Sequence, residues 1–141
     1  MNGHFVQDNI SKSSYGVLRG VHLQKGEHAQ AKLVSCLEGK VFDVAVDLRE
    51  DSPTFGQWFG IELTPENKLQ LYVPRGFGHG FSVLSETAVF SYKCDNFYQK
   101  DAEGSVIYND PELNIDWKLP ADAIILSEKD SKLPTFAEKN F

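Results

Sequence analysis

Between Lys32 and Tyr92 the sequence is cut every few residues into short apolar runs separated by turn-forming clusters, a rhythm that suits strands far better than helices. Lys32 to Leu37 is apolar-rich, Glu38-Gly39-Lys40 turns, and Val41 to Leu48 continues. Side chains alternate across a strand, so Phe42, Val44, Val46 and Leu48 share one face while Val41, Asp43, Ala45 and Asp47 share the other. Phe59 to Leu63, Gln70 to Val73, Phe81 to Leu84 and Ala88 to Tyr92 look similar, and Asp51-Ser52-Pro53 and Asn109-Asp110-Pro111 punctuate the chain. Helix signals are few. Thr64-Pro65-Glu66 can start one turn with proline at the first helical position, and Ser127-Glu128-Lys129-Asp130 reads as a capping box before a short helix. The expectation is an all-β sandwich or barrel with one or two short helices near the C-terminus and a tail from Pro134 to Phe141.

A chain of 141 residues with 41% hydrophobic and 24% charged residues can bury one real core, so residues 1–141 are read as a single domain. A net charge of −6 argues against a nucleic-acid binder, which needs a basic face, but leaves room for a phosphorylated small molecule held by a few Arg and Lys. Met1 to Asn9 has neither a basic nor an apolar stretch, and nothing approaches a membrane span. Cys36 and Cys94 are isolated and read as buried thiols. The expected setting is the cytoplasm, with no membrane partner.

The chemistry has few candidates. Of four histidines, His22 lies in the strand-like Leu18-Arg19-Gly20-Val21-His22, and His79 in Pro74-Arg75-Gly76-Phe77-Gly78-His79-Gly80-Phe81. Three glycines around His79 let the backbone bend and approach a ligand closely. On its own, each histidine reads first as a hydrogen-bonded structural residue. Zinc or iron would want ligands close in sequence, and there is no HxH or HxxxH, so no metal is expected. Lys32 stands among uncharged residues and can stabilise an anion, yet spacing alone favours a lysine on the solvent face. Tyr92 reads as a core or edge aromatic, and Asp130 as the capping-box partner of Ser127. Arg19 and His22 are three apart, so an ideal strand sends them to opposite faces; they share a site only if the chain bulges or twists near Gly20.

Seven segments together resemble one family. Phe5-Val6-Gln7-Asp8-Asn9 and Gly16-Val17-Leu18-Arg19-Gly20-Val21-His22-Leu23-Gln24 are similar to the opening motifs of dTDP-4-dehydrorhamnose 3,5-epimerases. Gln30-Ala31-Lys32-Leu33-Val34, Val41 to Arg49, Ser52 to Gly56, Pro74 to Phe81 and Leu126 to Asp130 follow in the family's order. The resemblance runs from Phe5 to Asp130, and seven motifs in order are far more specific than any one.

The resemblance implies a metal-free and cofactor-free cupin jelly roll, normally a homodimer, acting on a dTDP-sugar inside its barrel. By similarity His22 is the base, Asp130 its carboxylate partner, Lys32 the enolate stabiliser and Tyr92 the acid on the opposite face. Arg19, Gln7, Asn9 and His79 line the substrate site. Family members usually carry an Arg-Gly-x-Phe-x-Glu segment ahead of these motifs that reaches the nucleotide, whereas this sequence opens at Met1-Asn2-Gly3-His4, which implies an incomplete nucleotide clamp. Relatives that invert one carbon share the base and the fold. A cupin that only binds the nucleotide sugar and a metal cupin are the other classes to be separated.

Overall fold

The structure is a computed structural model and describes residues 4–141; the expectation tied to the opening Met1-Asn2-Gly3 lies outside the described residues. Its strands are β1 (Gln7–Ser14), β2 (Leu18–Gln24), β3 (Lys32–Glu38), β4 (Val41–Asp47), β5 (Trp58–Leu63), β6 (Gln70–Val73), β7 (Phe77–Val83), β8 (Thr87–Cys94) and β9 (Glu103–Ser105). One sheet has the order β1-β8-β3-β6, the other β5-β4-β7-β2-β9. The paired strands run antiparallel. The all-β expectation holds. The helical elements are short 3-10 turns, three of them near the C-terminus at Ala121–Ala123, Asp130–Lys132 and Phe136–Glu138. Thr64-Pro65-Glu66 forms a turn instead of a helix, closed by reciprocal hydrogen bonds between Thr64 and Asn67.

The two faces read from β4 go to two different cores. Val41 and Ala45 pack between the sheets with Val34, Cys36, Val73, Phe81, Val83, Ala88 and Phe90. Phe42, Val44, Val46 and Leu48 pack on the far side of the five-stranded sheet with Leu18, Val21, Leu23, Val106, Leu113, Trp117 and Phe136. Every residue of β4 is therefore buried, which makes it the central wall of the molecule. Each fully buried Val or Leu here contributes about 1.5–3 kcal/mol relative to exposure.

The second core exists because the C-terminal segment lies across the five-stranded sheet. The expected tail is packed: Phe136 is buried against Phe55 and Phe141, and the Asn140 carbonyl accepts from the Ser105 N–H at 2.8 Å. A capping box forms at Thr135 and Glu138. At the end of β4, the Asp47 carboxylate is buried and accepts from the Arg49 guanidinium at 2.9 and 3.0 Å, and from the Ser52 and Thr54 hydroxyls. Burial pushes this carboxyl up, but those donors outweigh it and hold it far below the usual carboxylate range.

Asp47→Asn should cost about 3 kcal/mol in urea unfolding, the range for breaking a buried charged network from one side. Because the folded value is depressed, the stabilisation is complete above the unfolded carboxylate range and is lost as pH falls through the folded value. The wild type should therefore lose stability more steeply than the variant below about pH 4. Parallel acid limbs would remove Asp47 from this role.

Candidate functional site

The inner faces of the two sheets do not close completely, and between them lies an open cavity of about 480 Å³. On the four-stranded wall, β1 contributes Gln7 and Asn9, β3 contributes Lys32, and β8 contributes Phe90, Tyr92 and Cys94. They are neighbours by register: Gln7 pairs with Cys94 and Cys94 with Lys32, while Asn9 pairs with Tyr92. Lys32 thus points into the cavity, not to solvent as its spacing alone favoured. Its inward side is set by the alternation that also buries Val34 and Cys36.

On the facing wall, β2 contributes Arg19, His22 and Gln24, and β7 contributes His79 and Phe81. Arg19 and His22 share this face because the pairing of β2 with β7 shifts register between them. Gly20 sits at the irregularity with a φ of +135°, and a Cβ there would lie 2.7 Å from the Gly80 Cα. Only glycine meets both conditions. Val21 turns the other way into the outer core, and His22 returns opposite His79.

Asp130 reaches this wall from the C-terminal segment. Its Oδ1 lies 2.8 Å from His22 Nε2, and its Oδ2 accepts from the Gly20 N–H at 3.1 Å. Ser127 caps the turn by accepting from the Asp130 N–H at 3.0 Å, as the capping-box pattern anticipated. The Asp130 side chain, however, serves β2 instead of the cap. Burial pushes its carboxyl up, but the hydrogen bond and charge of His22, helped by the Gly20 N–H, leave it below the usual range. His22 Nδ1 is buried and has no hydrogen-bond partner.

Electrostatics differ on the opposite wall. Burial pushes the Lys32 ammonium down. The Lys32 Nζ lies 5.5 Å from the Tyr92 ring centroid. Burial also pushes the Tyr92 hydroxyl up, which keeps its proton on at neutral pH.

All eight residues singled out from the sequence (Gln7, Asn9, Arg19, His22, Lys32, His79, Tyr92 and Asp130) line this one cavity. Sequence reasoning missed Gln24, Gln30, Cys94, Tyr98, Glu103 and Lys129, which also line it. Lys129 donates to both Glu103 carboxylate oxygens at 2.8 and 2.9 Å, a pair 26 positions apart with no local signal. Gln24 lies two positions beyond His22 on β2, and period-two alternation from His22 is the signal that could have found it. Among the described residues, no three His, Cys, Asp or Glu side chains converge as metal ligands would.

Comparison with known proteins gives one consistent picture. Residues 1–138 match the family model described as dTDP-4-dehydrorhamnose 3,5-epimerase. The epimerase of that name from Salmonella typhimurium is 56% identical over 133 residues, covering 92% of this chain and 70% of that protein. The crystal structure of the Elizabethkingia anophelis dTDP-4-dehydrorhamnose 3,5-epimerase is 74% identical with a TM-score of 0.99, covering 100% of this chain and 77% of that one. The Legionella pneumophila dTDP-6-deoxy-D-glucose-3,5-epimerase, solved in complex with dTDP-4-keto-L-rhamnose, is 51% identical with a TM-score of 0.93, covering 99% and 76%.

The shared face of Arg19 and His22 generates a test. Gly20→Ala should lose at least about 2 kcal/mol by chemical denaturation, from the strained φ and the contact with Gly80 together. Unchanged stability would mean that the bulge does not depend on glycine.

Proposed function

The chain belongs to the dTDP-4-dehydrorhamnose 3,5-epimerase family, and from that premise we infer that it is an isomerase inverting C3 and C5 of dTDP-4-keto-6-deoxyglucose to give dTDP-4-keto-L-rhamnose, a step of dTDP-L-rhamnose biosynthesis. The observation that carries the mechanism is the state of His22. Its Nε2 is committed to the Asp130 carboxylate, and its Nδ1 is buried without a partner. An imidazole with Nε2–H donated to a carboxylate keeps a lone pair on Nδ1, and that is the form a base requires.

The C3 and C5 protons both flank the C4 ketone, so removing either one leaves an enolate with its charge on O4. His22 takes the proton, and Asp130 fixes its tautomer and stabilises the imidazolium. The Lys32 ammonium stabilises charge on O4 that develops only as the proton leaves, which lowers the barrier instead of merely tightening binding. Inversion requires a proton from the other side of the ring. Tyr92 stands on the opposite sheet, and its raised pKa keeps it a donor. Arg19, Gln7, Asn9 and His79 hold the substrate. General acid–base catalysis by such groups contributes about 10²–10⁴-fold each.

The working form is a homodimer. The outer face of the four-stranded sheet exposes Ile10, Leu37 and Tyr72 beside half-buried Leu33 and Val89, an apolar surface suited to a second copy. Both thiols are free and buried, and the substrate is a charged nucleotide sugar that does not cross a bilayer unaided; both fit action in the cytoplasm.

In heavy water with dTDP-4-keto-6-deoxyglucose, NMR should show deuterium entering at both C3 and C5. Entry at one carbon would make the chain a single-site epimerase, and no entry from folded protein would make it a binding cupin. His22→Ala should abolish exchange while leaving the melting transition in place, and full exchange in that variant would remove His22 as the base. Tyr92→Phe should still exchange protons but return them poorly from the opposite face; unchanged stereochemistry would exclude Tyr92 as the acid. Sedimentation at micromolar concentration should give a dimer, and a monomer there would refute the sheet-face interface.

A further inference from the structure

Asp43 has no part in the chemistry above, yet it is the most conspicuous buried charge in the molecule. It sits in the middle of β4, is 0% exposed, and lies on the face between the sheets, paired in register with Phe81 and Ile61. Its Oδ1 is 2.7 Å from His79 Nε2, and its Oδ2 is buried without a hydrogen-bond partner. An ionised carboxylate in such a place costs several kcal/mol unless charge and hydrogen bonds compensate it, on the order of the penalty for any buried ion. One hydrogen bond leaves the other oxygen unaccounted for.

The surroundings link the Asp43–His79 pair to the cavity. The His79 ring lies nearly parallel to Phe90, with centroids 6.2 Å apart, and 6.4 Å from the Tyr92 ring. The Tyr92 ring carries Lys32 Nζ on its face. Asp43, His79, Tyr92 and Lys32 thus form a continuous series from the five-stranded wall to the four-stranded wall. The titratable groups on the elements packed against this face are His79 on β7, Lys32 and Cys36 on β3, and Tyr92 and Cys94 on β8.

We propose that Asp43 is a positioning residue of the cavity: its Oδ1 holds the His79 ring with Nε2–H toward β4 and Nδ1 free for the substrate. The proposal rests on the epimerase reading for its consequence in turnover, since a His79 ring free to turn holds the substrate poorly. Its physical content does not need substrate. His79 is held like the outer nitrogen of a histidine whose ring is fixed by a carboxylate, with the two nitrogens assigned different duties.

Two readouts test it. Long-range nitrogen–proton NMR of the wild type should find hydrogen on His79 Nε2; a bare Nε2 overturns the proposal, and this holds even if no variant folds. Turnover in Asp43→Asn should fall about 10–100-fold, the usual cost of losing a carboxylate behind a working histidine, and Asp43→Glu should recover much of the wild-type rate. A kcat in Asp43→Asn within twofold of wild type would overturn the assignment. Failure of the epimerase reading is separate, because it shows as absent deuterium exchange in the wild type while the tautomer result stands unchanged.

Discussion

A single carboxylate from the C-terminal segment holds the backbone and the histidine of β2 in one geometry. Asp130 binds the His22 ring with one oxygen and the Gly20 N–H with the other. The first bond sets the ring nitrogen that stays free. The second anchors the residue at which β2 departs from regular pairing and brings Arg19 and His22 to the same side. Asp130 can do this only when the segment that carries it closes over the five-stranded sheet, and that closure buries Leu113, Trp117 and Phe136 against β2 and β4. The outer hydrophobic core is therefore the support on which the inner polar cavity depends, and loss of packing there displaces the base.

The barrel solves a conflict between burial and chemistry. Its inner faces carry a hydrophobic cluster at one end, around Val34, Val41, Leu63 and Val83, and a polar cavity at the other. Charged groups in that cavity sit among apolar aromatic walls, where their fields act over short distances with little screening. Burial alone would discharge Lys32 and neutralise the carboxylates. Hydrogen bonds to elements distant in sequence hold the carboxylates: Asp130 beside His22 and Asp43 beside His79. Both pairs join a central strand of the same sheet to an element distant in sequence, so the charge pattern exists only in the folded chain.

Much of this was legible in advance where period-two hydrophobicity reports on a core. The runs at residues 32–37, 41–48, 59–63, 70–73 and 88–92 fall on β3, β4, β5, β6 and β8. β1 gave no such signal, because its inward residues Gln7, Asn9, Ser11 and Ser13 are polar and its only apolar residue, Ile10, faces out. Lys32 was set on the solvent side for the same reason: local alternation cannot tell a polar cavity from water. The motif resemblance drew His22, Lys32, Tyr92 and Asp130 together, but the Asp130 side chain, read locally as a cap, depends on a contact 108 positions away. Pro134 to Phe141 looked like a tail because its aromatic partner, Phe55, lies in a remote turn. Asp43 was assigned to a face of β4, yet nothing in its neighbours marks it as a partner of His79.

The central claim is that two facing sheets present base and acid to opposite sides of one sugar ring. The most direct test is a structure of the protein with a dTDP-hexose that lacks the C4 ketone and so cannot react. The account predicts the ring between His22 and Tyr92, with C3 and C5 within about 4 Å of one or the other and O4 facing Lys32. A ring lying outside the barrel, or His22 and Tyr92 on the same side of it, would contradict the account.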